Sequence, residues 1–78
     1  MGFPEEIKRT RQRSFLTQQE FAKKIGVAFS TVNRWESGRA KPNLKAMKRI
    51  NAFCLENNIH YETIEEAWLD YKVEVKSK

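Results

Sequence analysis

Residues 16–42, LTQQEFAKKIGVAFSTVNRWESGRAKP, constrain this chain most, because their punctuation admits two short helices with only a tight turn between them. Thr17 followed three residues later by Glu20 is a capping box, and Leu16 and Phe21 stand at the two positions of a hydrophobic staple. A helix therefore starts at Gln18. Gly26, directly after Ile25, suits the left-handed residue beyond a helix end, and Lys23 and Lys24 complement the negative end of the helix dipole. A second helix is predicted from about residue 28 to 36, closed by Ser37 and Gly38.

At ~100° per residue, Ala28, Val32 and Trp35 of the second helix fall on one side, and Phe29, Ser30, Asn33, Arg34 and Ser37 fall opposite. One face packs and the other is offered. The offered set suits base edges: Arg34 can fork onto guanine O6 and N7, and Asn33 can pair with adenine N6 and N7. Phe29, an aromatic at the entry of the helix, fits a thymine methyl or a neighbouring side chain equally well.

These residues carry a family resemblance. The run Thr17-Gln18-x-Glu20-x-Ala22, then Gly26, then Thr31-Val32-x-Arg34-Trp35-Glu36-x-Gly38, then Lys41-Pro42, resembles the XRE-type helix-turn-helix family of phage repressor and Cro proteins, from residue 7 to about 54. The resemblance implies an all-α fold, a compact five-helix repressor-like DNA-binding domain with the helix-turn-helix at helices two and three. It places Phe29, Ser30, Asn33 and Arg34 at base-reading positions. Gln18 would bond a phosphate and buttress the reading side chains, and Ser37, Arg39, Lys41 and Asn43 would grip the DNA backbone. Arg11 and Glu36 match a buried ion pair between the first and third helices, whose role is positional, since either charge left alone would be costly. Three positions depart from the pattern. Ala28 stands where relatives put a capping Ser or Thr, Thr10 replaces a usual core leucine, and Phe15 replaces a usual glycine. The missing cap forfeits about 1 kcal/mol or shifts the cap elsewhere.

The flanks also read as helix. Pro4 in the first turn, with Glu5 and Glu6 at its positive end, starts a helix from about residue 4 to 13 with Ile7 and Arg11 inward. Asn43 caps a fourth helix in which Leu44, Met47, Ile50 and Cys54 recur at helical spacing, ended by Asn57 and Asn58. A fifth spans about 62 to 71, with Ile64, Ala67, Trp68 and Tyr71 on one stripe. The stripe either closes the chain's own core or contributes to a two-fold interface. Residues 1–72 are expected to form a single helix-turn-helix DNA-binding domain. In the tail 73–78, Val73 and Val75 alternate with charges, as a frayed end or a short strand would.

Charge distribution points the same way. Residues 1–49 hold twelve Lys or Arg against four Glu, and residues 50–78 hold three Lys against six acids. A basic half carrying the motif and an acidic half behind it orient such a domain on a polyanion, with salt-dependent affinity. No apolar run approaches the ~20 residues needed to cross a bilayer, and MGFPEEIKRTRQRS lacks a signal-peptide core, so the expectation is a cytoplasmic protein with no membrane partner. One cysteine and one histidine make neither a disulfide nor a metal set, and no cofactor is expected. Ser14, Ser30, Ser37, Cys54 and His60 form no catalytic arrangement, so the chain is not expected to be an enzyme.

A single reading helix touches few base pairs. The expected partner is therefore double-stranded DNA with a palindromic operator, bound by a homodimer through Trp68 and Tyr71, with half-sites ~34 Å apart. A transcriptional regulator, most simply a repressor, is the leading expectation. The alternative is an antitoxin-like DNA-binding protein whose C-terminal region, residues 57–78, holds a protein partner.

Overall fold

The computed structural model describes residues 2–73, which form five α-helices. They are α1 (Phe3–Arg13), α2 (Gln18–Ile25), α3 (Phe29–Glu36), α4 (Leu44–Glu56) and α5 (Glu62–Asp70). The fold is all-α, with α3 lying against α2 and α1, α4 against α2, and α5 against α1. The tail from residue 74 lies outside the described residues, so the reading of 73–78 as frayed or as a strand falls mostly there.

Local chemistry explains where the helices begin. The Thr17 hydroxyl accepts from the Glu20 N–H at 3.1 Å, and the Glu20 carboxylate accepts from the Thr17 N–H at 2.9 Å. Both halves of the capping box are therefore closed. Asn43 Oδ1 accepts from the Ala46 N–H at 2.9 Å and starts α4 in the same way. Ala28 precedes α3 with no side-chain cap, and α3 begins one residue later than expected, at Phe29.

The first four helices all end in one device. In a Schellman ending the chain passes through a left-handed residue, and the next amide reaches back to a carbonyl five residues earlier. The left-handed residues are Phe15 (φ 59°), Gly26 (75°), Gly38 (82°) and Asn58 (54°). The matching bonds run from the amides of Leu16, Val27, Arg39 and Ile59 to the carbonyls of Arg11, Ala22, Arg34 and Cys54. Glycine and asparagine tolerate this region, and Phe15 does not. The departure at position 15 is thus a backbone cost, and its ring, 92% exposed, recovers little by burial.

The core gathers Ile7, Val32, Trp35, Met47, Ile50, Cys54 and Ile64, as the helical stripes implied, together with Phe21 and Ile25 of α2. It also takes Phe3, Ala46 and Phe53; α1 starts at Phe3 rather than Pro4, and that ring is fully buried. Phe21 and Phe53 meet edge to face with centroids 5.2 Å apart. Leu44 corrects one expectation, being 70% exposed. The buried stripe of α4 centres on Ile50 and takes in Ala46, Met47, Phe53 and Cys54, and Leu44 sits ~120° around the helix from that centre. Thr10 is buried, and its hydroxyl donates to the Glu6 carbonyl at 2.9 Å, so no polar group is stranded.

The stripe on α5 closes this chain's own core. Ile64 is buried, and Ala67, Trp68 and Tyr71 pack against the cluster. The helix stops at Asp70, one residue short of the expected end, and Tyr71 is extended. Trp68 Nε1 donates to the Pro42 carbonyl at 2.7 Å, and the Tyr71 hydroxyl donates to the Gly38 carbonyl at 3.0 Å. Both rings therefore tie α5 to the loop that follows α3.

Candidate nucleic-acid interface

The two faces of α3 separate as the helical wheel predicts except at Ala28, which was expected on the packed side but precedes the helix and is exposed. Val32 and Trp35 are buried, whereas Phe29, Ser30, Asn33 and Arg34 are exposed along this short helix and Ser37 is exposed just past its end. Phe29 is about half exposed, beside a groove that also touches Thr17, Glu20, Lys23 and Val27 of the α2 side. Its ring thus has both a packed side and an open one.

Beneath this edge lies a connected set of polar side chains. Arg11 Nε donates to Glu36 Oε2 at 2.7 Å and Arg11 Nη2 to Oε1 at 3.0 Å, a forked pair that is mostly buried. Arg11 Nη1 also donates to the Leu16 carbonyl at 2.9 Å, so the guanidinium holds the end of α1 as well as α3. The Glu36 carboxylate, by accepting from it, raises the Arg11 pKa above its ordinary value. Gln18 Nε2 donates to Glu36 Oε1 at 3.0 Å, and Asn33 Nδ2 donates to Gln18 Oε1 at 3.2 Å. The family resemblance pointed to the ion pair but not to the Gln18–Glu36 bond. The available signal was Glu36's spare acceptor capacity, since a carboxylate can accept more bonds than one guanidinium supplies.

The residues expected on the DNA backbone divide into two groups. Arg39 is exposed, Asn43 keeps its amide N–H groups free of the cap made by its oxygen, and Ser37 Oγ donates back to the Arg34 carbonyl at 3.2 Å. Lys41 differs. Its Nζ donates to the carbonyls of Trp68 and Tyr71, both at 2.9 Å, and lies 5.1 Å from the Trp68 ring centroid. A cation there satisfies the open carbonyls at the end of α5 and meets the negative end of its dipole. The expected phosphate grip therefore loses Lys41 as a freely presented cation. Arg49, assigned no role from the sequence, donates from Nη1 to the Gly26 carbonyl at 2.8 Å and braces the turn between α2 and α3. Nothing local in the sequence marks that contact, which spans 23 residues.

Among the described residues no group of His, Cys, Asp and Glu could hold a metal ion, and no helix is long and apolar enough to cross a membrane. His60 is exposed and pairs with Glu62. Cys54 is buried, and desolvation pushes its thiol up to about 11.

Comparison with known proteins agrees with this geometry. The family model described as "Helix-turn-helix" matches residues 7–54. A curated relative, the HTH-type transcriptional activator BcrR of Enterococcus faecalis, is 34% identical over 53 residues, covering 68% of this chain and 26% of its own length. The chain thus spans about a quarter of that relative. No solved structure matches significantly.

Proposed function

The chain belongs to the helix-turn-helix family, and from that premise we propose that it is a sequence-specific, double-stranded DNA-binding transcriptional regulator that reads the major groove with α3. The observation that carries this reading is the outward edge of α3, where Arg34 and Asn33 stand exposed over a rigid helix whose other face is buried. Arg34 suits guanine, Asn33 adenine, and Phe29 and Ser30 complete the reading set. Gln18, Ser37, Arg39 and Asn43 hold the phosphates on either side. Residues 1–72 act as the DNA-binding domain, in the cytoplasm and without catalysis.

Repression by operator occupancy is the simplest mode, because it asks nothing beyond the reading face. Activation, the activity in the name of the enterococcal relative, needs in addition a contact to the transcription machinery. A homodimer on a palindrome supplies the missing specificity. Trp68 and Tyr71 spend their polar atoms within the chain, and the exposed Leu44, Leu55 and Leu69 offer apolar surface to a second copy. Leu44 also lines a groove of about 410 Å³ together with Met47, Tyr61 and Trp68.

Selection of bound fragments from a pool of random-sequence duplexes tests the reading, with Arg34→Ala alongside. A defined motif is expected, and Arg34→Ala should cost about 1–3 kcal/mol on it while barely changing binding to random DNA. Equal losses on both would make Arg34 a phosphate contact, and no enriched motif would end the sequence-specific reading.

A further inference from the structure

The hydrogen bonds linking Arg11, Glu36, Gln18 and Asn33 have a direction that is imposed from one end. A carboxylate only accepts. Glu36 must therefore face the amide nitrogen of Gln18, which turns Gln18 Oε1 toward α3. That oxygen in turn only accepts, and it takes one N–H of Asn33 at 3.2 Å. Asn33 is left with its Oδ1 and a single N–H for anything that approaches it.

We propose that Glu36, acting through Gln18, sets the hydrogen-bond polarity of Asn33 and so makes it select adenine and reject guanine. The proposal rests on the reading that Asn33 meets a base. In the major groove adenine presents one donor, N6–H, and one acceptor, N7, and these match Oδ1 and the remaining N–H. Guanine presents two acceptors, O6 and N7, and needs two N–H groups. Asn33 has already given one of its two to Gln18. Thymine offers only an acceptor and a methyl group on this edge, so it meets at most one of the two groups. The discrimination is thus a matter of donor count, and it is decided two residues away from the DNA. Gln18 and Glu36 are positioning residues here.

The test compares the wild type with Gln18→Ala and Asn33→Ala, each checked for a native circular dichroism spectrum and melting transition. Gln18 is only half-buried, so its truncation leaves the Arg11–Glu36 pair and the fold in place. Bound duplexes are selected from a random pool, and the recovered motif is re-measured with adenine or guanine at each position. The expected result is a position where the wild type prefers adenine by about tenfold or more. Asn33→Ala becomes indifferent there, and Gln18→Ala keeps the position but loses several-fold of the adenine preference. If Gln18→Ala weakens binding uniformly with that preference intact, Gln18 serves only the phosphates and the proposal is overturned. A wild-type preference for guanine at the Asn33-dependent position overturns it as well. If Asn33→Ala changes no base preference, the underlying reading of Asn33 fails and takes the proposal with it.

Discussion

Replacing Phe15 with glycine should stabilise this protein, although it deletes the chain's most exposed large hydrophobic side chain. Phe15 holds φ at 59° to close α1 in a Schellman ending. For an L-residue that region costs roughly 1–2 kcal/mol, and glycine avoids the penalty. Glycine's wider unfolded ensemble takes back about 0.4–1 kcal/mol. With the ring 92% exposed, little burial is lost, so the net gain is about 1 kcal/mol. In a domain of this size that raises Tm by about 4–8 °C, readable in a thermal melt followed by circular dichroism. Phe15→Ala is the decisive control. It removes the ring but keeps the Cβ that makes the left-handed region costly, so its Tm should stay near wild type. An alanine variant as stabilised as the glycine one would place the cost in the ring, and a glycine variant that melts lower would show that Phe15 makes contacts worth more than its strain.

Three further outcomes follow from named contacts. Lys41→Met should lower stability by about 2 kcal/mol through the lost charge-assisted bonds to α5, with the salt dependence of DNA binding unchanged; Arg39→Ala should leave stability alone and flatten that slope by about 0.9. A flattened slope in Lys41→Met would return Lys41 to the phosphate contacts. Cys54 has a folded pKa near 11, above the ~8.5 of a free thiol, so its contribution to stability is complete below pH ~8.5 and is lost as pH rises through about 11. Alkylation of the folded protein at pH 8 should accordingly be slow and accelerate on unfolding, and rapid labelling of the native form would contradict its burial. Ala28→Ser should supply the missing cap on α3 and add about 1 kcal/mol in denaturant titrations; no gain would mean that the first amides of α3 are already satisfied.

The parts of the fold legible in the sequence are those decided within a few residues. The capping box of Thr17 and Glu20, the left-handed turn at Gly26 and the cap at Asn43 are local bonds, and each forms where the residue types place it. The buried and offered faces of α3 follow from period for Phe29 to Glu36, but period could not say that Ala28 precedes the helix and stays exposed. Contacts across the chain were not legible in the same way. Leu44 fits helical spacing with Met47, yet which arc of α4 is covered depends on where α2 and α5 lie. Lys41 matches a phosphate-gripping position by type, but its ammonium is claimed by an α5 end that lies 27 and 30 residues away along the chain. Phe3 precedes the expected helix start, and only the packing of α1 brings it into the core.

Glu36 shows why the candidate site was half legible. A buried ion pair is weak evidence for stability, because desolvation offsets much of its Coulomb gain. What Glu36 does supply is orientation. One carboxylate accepts from Arg11 of α1 and Gln18 of α2 while belonging to α3, so the relative placement of three helices and the direction of the hydrogen bonds reaching Asn33 depend on the same two oxygen atoms. Pairing Glu36 with Arg11, as the family resemblance does, explains the first of these duties and is silent on the second. A hydrophobic pair of equal volume could hold the helices together, but it could not tell Gln18 which end of its amide to turn toward Asn33. The charge at position 36 therefore serves the reading edge as much as the fold, and loss of base discrimination with the fold intact is the signature that separates the two.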